Sequence, residues 1–581
     1  MAPPASQRGV LALQVAALPA PPASLKGVIA VSATDDRFAD DMHFQGGALL
    51  CENLSWSAWL QHTLSQPADP LVSGTDGWLE GWRARAAAAV PLAPRWMSHA
   101  TEGAGDGYWA QGSVKHTYHA ISVPMLLVGG MHGGGYHASV PRMAARCSNA
   151  AVTAVVGPWS HNMPHTSPLG PQTGFLQDAL VWLRSLAAPA RGLTVFSEAP
   201  ALDRPLAAAS ATLPGRWLHF PGSDAAAGAV KALRFALTTD GALAPVGADD
   251  AAQPPAAPGP PMLIDSTIDN ILDGGAVAGA AAGRWFTFGN NDDLPMEQSP
   301  DDAVSTLFEL PPAAEDTLIL GAPSVSLCVP DGAACDGHLV ARLVAVAPNG
   351  LAHRITWGVL HLGKAAAAAA PLRVELKYTC YTLPKGYKLR LALSRDYFPI
   401  VWPSVTRGAK PALLIRGGAS TLTVHQAPCG ADAIAAALDA AAERVTTAVH
   451  IPAGSDVSST ARAPGRRTVT NAAGVFKVEI CSPHAKVDLG AQAQGLVQES
   501  ACTETFSLRD IDGVVVPEHQ VAWSTTARRM GAAAVDSTCT LTARLTGGPS
   551  ALELTHHLRT VSGDSVVVEK EWQHRIDAAS V

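Results

Sequence analysis

The sequence predicts a mixed α/β protein: a parallel sheet carrying a helical cap, then a jelly-roll β-sandwich, then a small C-terminal β domain. Three observations predict it. Apolar runs at 27–31, 125–128 and 152–156 are short and unbroken, and each is followed by small or polar residues, which suits parallel strands covered on both faces. Residues 40–118, between the first two runs, hold Trp56, Trp59, Trp78, Trp82, Trp96 and Trp109, and the spacings 56/59 and 78/82 are helical. From about Arg191, period-two alternation split by turn residues replaces helical periodicity.

Composition narrows the function classes. A chain of 581 residues is long enough for about three or four domains. Its 41 basic and 49 acidic residues leave a net charge of −8, which argues against a nucleic-acid binder. With 48% hydrophobic and 15% charged residues, global disorder is excluded, and no run of strongly apolar residues is long enough to predict a membrane span. The nine cysteines contain no CxxC and no zinc-ligand spacing with histidine. Free thiols in a reducing, cytoplasmic compartment and no cofactor or metal are therefore expected. Arg8 and the apolar run 9–18 imitate a secretory signal, but they read better as an amphipathic helix over 11–17 feeding the first strand.

Element by element, a helix is expected at 175–187 to close the first region, and the tryptophan stripe of the cap is read as core packing. Strands are expected at 217–220, 318–329, 339–346, 354–361, 373–381, 388–394 and 420–424. The Pro- and Ala-rich stretch 248–261 reads as a loop, 365–370 as a surface hairpin insertion, and 431–443 as a linker helix. Further strands are expected at 466–480, 501–512, 538–545 and 552–574. The domain reading is 1–190, with the cap at about 40–118, then 191–430, a linker at 431–459, and 460–581.

Several segments together resemble the cocaine-esterase/X-prolyl dipeptidyl aminopeptidase (CocE/NonD) family of α/β-hydrolases. Val31-Ser32-Ala33-Thr34-Asp35-Asp36-Arg37-Phe38-Ala39-Asp40-Asp41-Met42-His43-Phe44-Gln45-Gly46-Gly47 resembles the start of that family's cap. Gly157-Pro158-Trp159-Ser160-His161 resembles the loop carrying its catalytic histidine. The stretch from Gly283-Arg284-Trp285 to Asp293-Leu294-Pro295 is similar to its jelly-roll entrance. Arg390-Leu391-Ala392-Leu393-Ser394 through Phe398-Pro399-Ile400-Val401-Trp402-Pro403-Ser404 is similar to a late strand and turn. The resemblance implies an α/β-hydrolase sheet, here incomplete and N-terminally truncated, and a serine hydrolase acting on esters or X-Pro peptide bonds.

The implied triad departs from the family pattern. Laid onto that pattern, Ser6 falls at the nucleophile, but Pro4 and Arg8 replace the glycines of Gly-x-Ser-x-Gly and only Gly9 is kept. The acid belongs in the loop Val128-Gly129-Gly130-Met131-His132-Gly133-Gly134-Gly135-Tyr136, where Gly134 occupies its place. His132-Gly133-Gly134-Gly135 spells an esterase oxyanion motif but stands after the nucleophile in chain order, so it is read as coincidence. His161 is the one triad member in place, and His165 reads as a packing histidine. A substitute acid would come from Asp35, Asp36, Asp40 or Asp41, which otherwise read as hydrogen bonders at the start of the cap.

The resulting expectation is a serine hydrolase with lost or strongly impaired catalysis. The alternatives are a non-catalytic binding protein and a fragment of a longer hydrolase. A small ester or peptide substrate and a homo-oligomeric partner are expected; nucleic acid and membrane are not.

Overall fold

The computed structural model describes residues 5–578 except 75, 101–106, 201–211, 223–227, 248–259, 268–269, 272–273, 290–292, 331–334, 368–371, 405–412, 442–457, 460–465, 489–494, 531–533 and 549. Helix α1 (Ala5–Ala16) precedes a parallel sheet of β1 (Val28–Val31), β2 (Met125–His132), β3 (Val152–Ser160) and β4 (Gly192–Glu198), paired in that order. The register runs Val28↔Met125, Met125↔Val152 and Thr153↔Gly192. Alternate residues go to opposite faces, and both faces are buried. Val28, Ala30, Met125 and Leu127 share a core with Val10, Leu13 and Ala16 of α1. Val31, Leu126 and Val128 pack instead against Phe175, Ala179 and Trp182 of a helix at Phe175–Arg184. Gly9 permits the close approach of α1, since a Cβ there would stand 2.8 Å from the Ala33 Cβ.

The sequence predicted three parallel strands, and the structure has four. Gly192–Glu198 pairs parallel with β3 and antiparallel with Gly215–Pro221, so the first unit extends well beyond residue 190. The linker reading is also corrected. Asp432–Ala441 is a helix against Gly215–Pro221, and its Ile434 and Ala437 are buried in the α/β core. The alanine tract is helical over Leu362–Ala367 rather than a hairpin, in keeping with alanine's helix propensity, and 368–371 lie outside the described residues. Of the expected loop 248–261, residues 248–259 also lie outside them, while Pro261–Ile264 is a strand paired with Leu413–Arg416.

The β-sandwich follows as expected. One antiparallel sheet contains Thr306–Glu309, Lys388–Ser394, His338–Val346 and Ala352–His361. The facing sheet includes Thr317–Gly321, Thr379–Leu383 and Thr421–Pro428 and continues into β4 through the pair Tyr381↔Glu198. Glu198 therefore stands at the seam between the α/β unit and the sandwich. Last comes an antiparallel meander of long strands from Val475–Asp488 to Ser565–Asp577. Among the described residues no helix is long and apolar enough to cross a membrane, and all nine cysteines are free.

The cap lies on this C-terminal meander. Helix Glu52–Leu64 packs on Val514–Arg529 and Val535–Gly547, and Trp82 and Ala86 of helix Trp78–Ala88 are buried against Val567 and Val568. Trp56 and Trp59 stack at 4.7 Å between centroids and Trp78 and Trp82 at 5.7 Å, so the tryptophan stripe is core packing. Arg529 donates to both carboxylate oxygens of Asp69, at 2.7 and 2.9 Å. Deeper in, the buried Glu504 accepts from Ser55 Oγ of the cap, from Arg284 of the sandwich entrance, and from His519 Nε2 at 2.7 Å. Burial opposes its ionisation, but Arg284, His519 and Ser55 overcome that and hold Glu504 down to about 2. Its neighbour Glu52 is pushed up to about 8 by burial, with Glu504 adding to the effect.

Two tests follow from this packing. Glu504→Ala leaves the half-buried Arg284 and the buried His519 without their acceptor, and should cost about 3–5 kcal/mol in urea unfolding; a loss under about 1 kcal/mol would show that the node carries little of the fold. The second is a pH profile. Burial lowers His43, His62, His137, His161 and His361 to about 4 and His556 to about 3. Unfolded histidine titrates near 6.5, so between about 6.5 and 4 only the unfolded chain binds these protons. In urea unfolding, the histidines together should lower the unfolding free energy as pH falls from 6.5 to 5, by about 1.4 kcal/mol per pH unit for each. Glu52, held protonated in the fold up to about 8, opposes one of the six over that range.

Candidate active site

Strand β3 runs past its predicted end through Gly157, Pro158, Trp159 and Ser160, and delivers His161 to the carboxyl end of the sheet. Ligand sites of open α/β sheets lie at that end. The His161 backbone N–H donates to the Thr287 carbonyl at 2.7 Å. Its ring packs on Phe286 at 4.7 Å and Tyr136 at 5.5 Å, and Phe286 meets Trp56 of the cap at 5.4 Å. The histidine therefore faces the cap, as the order strand, Gly-Pro turn, histidine suggested.

What orients the imidazole is a backbone group. Nδ1 lies 3.1 Å from the Gly133 carbonyl oxygen, which only accepts, so Nδ1 carries the proton and Nε2 keeps its lone pair. Burial lowers His161 to about 4, against smaller opposing effects of the Gly133 carbonyl and the Asp41 charge. Gly133 is thus the loop residue that reaches His161. Gly134 has φ +85°, and a Cβ there would stand 2.9 Å from the Trp285 ring and 3.2 Å from Phe286. The place expected for the acid has no room for a carboxylate beside Trp285. The HGGG motif offers no open oxyanion donor at Gly133 either, because its N–H is taken by the Gly130 carbonyl at 2.8 Å.

The four aspartates considered as substitute acids are all committed elsewhere. Asp35 takes Tyr118 Oη and a two-point contact from Arg142. Asp36 caps the Phe38 and Ala39 N–H groups and pairs with Lys115 at 2.8 Å. Asp40 pairs with Arg142 at 2.7 Å and with Lys377. Asp41 pairs with Arg37 at 2.6 Å and accepts from Tyr136 Oη at 2.6 Å. None hydrogen-bonds His161. His165 stacks on Phe175 at 5.9 Å, as a packing residue does.

Ser6 lies in the first turn of α1, and its side chain is outside the described residues. Beside that turn, Gln7, Val10, Thr34, Asp41, Tyr136 and Phe286 line a cavity of about 20 Å³. Tyr136 and Phe286 are also the rings packed on His161, so the start of α1 and His161 converge on the same two aromatic side chains. Sequence reasoning missed Gly133, Tyr136, Arg142 and Lys377 as members of this neighbourhood. Tyr136 had a signal in its motif; the Gly133 contact is made by backbone and had none. No group of three or more His, Cys, Asp or Glu residues that could hold a metal occurs among the described residues.

Residues 5–163 match the X-Pro dipeptidyl-peptidase (S15 family) domain, and residues 227–416 match the X-Pro dipeptidyl-peptidase C-terminal non-catalytic domain. Among solved structures the chain is similar to an aminopeptidase from a marine sediment archaeon, Thaumarchaeota archaeon, at 16% identity over 70% of this chain and 73% of that one, with a TM-score of 0.46. An alpha-amino acid ester hydrolase is similar at 16% identity over 72% of this chain and 75% of that one, TM-score 0.46. A CocE/NonD family hydrolase from Staphylococcus aureus is similar at 12% identity over 71% and 69%, TM-score 0.44. No curated protein sequence matches the chain.

The geometry at Gly134 makes its own prediction. Gly134→Ala should destabilise the protein by about 2–4 kcal/mol, from left-handed strain plus overpacking against Trp285. Thermal unfolding measures it; an unchanged midpoint would mean that the Trp285 wall yields freely.

Proposed function

The chain belongs to the cocaine-esterase/X-prolyl dipeptidyl aminopeptidase family of α/β-hydrolases, and from that premise we propose that it is a serine hydrolase relative with at most feeble hydrolysis. The substrate class is a small ester or X-Pro peptide, whose acyl group would pass to Ser6 and then to water. His161 Nε2 is the base in this reading. The carrying observation is the Gly133 carbonyl at Nδ1, where a triad places a carboxylate.

A carbonyl fixes the tautomer but does not neutralise the imidazolium that forms when the base takes the serine proton. Burial makes that cation harder still to form. Disabling the triad acid costs about 10⁴-fold in turnover, and one missing oxyanion donor about 10²–10³-fold. These losses overlap rather than multiply, because triad groups act as a unit. A second reading, a non-catalytic binding protein with this fold, is favoured by the steric block at Gly134. The acidic balance supports neither nucleic acid nor an anionic membrane surface as a partner, and a second copy of the chain is the macromolecular partner proposed.

The test uses p-nitrophenyl esters and a fluorophosphonate serine probe on the purified chain. Turnover near the buffer background and far sub-stoichiometric labelling are expected. Stoichiometric labelling at Ser6, abolished by both Ser6→Ala and His161→Ala, would overturn the proposal.

A further inference from the structure

A second cavity, of about 70 Å³, is lined by Gly134 and Gly135 at the seam between the α/β unit and the sandwich. One water needs roughly 10–15 Å³ of such volume, so the space suits a molecule of a handful of heavy atoms. Its walls include Trp285 and Trp357 and the pair His132–Glu198, in which His132 Nε2 lies 3.0 and 3.1 Å from the two carboxylate oxygens.

Three lining residues carry hydrogen-bonding capacity that the protein leaves unused. Arg354 donates through Nη1 to the Ala282 carbonyl at 2.9 Å and to Tyr397 Oη at 2.7 Å, both neutral, and has no acidic partner among the described residues. The other two cations of the wall are balanced, Arg284 by Glu504 and Lys377 by Asp40. The Tyr378 hydroxyl is buried without a hydrogen-bond partner. The third is His137, buried, whose Nε2 donates to the Tyr378 carbonyl at 2.7 Å. Its proton is thereby fixed on Nε2, and Nδ1 is a buried lone pair with no donor. Two of these, Tyr378 Oη and His137 Nδ1, are buried polar atoms left open at a cost of about 1–3 kcal/mol each, and with Arg354 on the same wall they favour an occupant.

We propose that this cavity binds a small hydroxycarboxylate. The carboxylate answers the unbalanced Arg354 and the Tyr378 hydroxyl, both donors, and the hydroxyl answers the His137 Nδ1 lone pair. The two tryptophans supply the dry walls that strengthen these contacts. Thr287 also lines the cavity, donates its hydroxyl to the His132 carbonyl, and receives the His161 N–H on its own carbonyl. An occupant therefore bears on the wall it shares with His161. The site does not depend on whether Ser6 acts as a nucleophile.

Glycolate, acetate and chloride, titrated into the full chain at constant ionic strength, test this by calorimetry and tryptophan fluorescence. Glycolate should bind saturably in the millimolar range or tighter, acetate several-fold more weakly, and chloride not at all. Arg354→Gln should weaken glycolate by at least about tenfold and Tyr378→Phe by several-fold. Tyr378→Phe removes only an unpartnered hydroxyl, so the fold should keep its stability and the comparison stays interpretable. A glycolate response no different from chloride, or unchanged glycolate binding in both variants, would overturn the proposal.

Discussion

The architecture turns on one buried carboxylate. Glu504 comes from the C-terminal meander, yet its donors come from three places: Ser55 of the cap, Arg284 of the sandwich entrance, and His519 of its own sheet. A buried charge is tolerable only while such partners surround it, so the three units must meet in one arrangement. The consequence reaches the candidate site through four consecutive residues. Arg284 is anchored by Glu504; Trp285 closes on Gly134; Phe286 packs on His161; and Thr287 receives the His161 N–H. A domain far from His161 in sequence thus sets the wall against which that histidine rests.

Much of the fold was legible because its elements obey local rules. Unbroken apolar runs marked β1, β2 and β3, and tryptophans at helical spacing marked the cap. The errors share a different cause. Gly192–Glu198 fell past the boundary drawn at about Arg191 because nothing within the segment records that it pairs parallel with β3. The helix Asp432–Ala441 looked like a linker because Ile434 and Ala437 find their core through distant elements, chiefly the strand Gly215–Pro221 more than two hundred residues earlier. Both are decided by long-range pairing, which period and propensity do not encode.

The site was legible in the same uneven way. His161 could be found because a strand, a Gly-Pro turn and a histidine follow one another in the chain. Its partner could not, since a backbone carbonyl leaves no residue-type signature. The glycines of the HGGG run were read first as motif letters, whereas in the fold Gly134 serves close packing beneath Trp285. Lys377 completes the aspartate cluster from the sandwich, 337 positions from Asp40, and no local pattern announces it.

That cluster also explains why no carboxylate has been recruited to His161. Asp41 is the only one of the four whose charge acts on the imidazole, and it is held by Arg37 at 2.6 Å and by Tyr136 Oη at 2.6 Å. Turning Asp41 towards His161 would strip Arg37 of its ion pair and leave the buried Tyr136 hydroxyl open. Breaking such a pair costs about 3–5 kcal/mol and an orphaned buried hydroxyl about 1–3 kcal/mol. A new hydrogen bond from neutral His161 would return only about 1.5–3 kcal/mol. The ionic network at the start of the cap therefore wins the competition for Asp41, and the Gly133 carbonyl remains what His161 can reach.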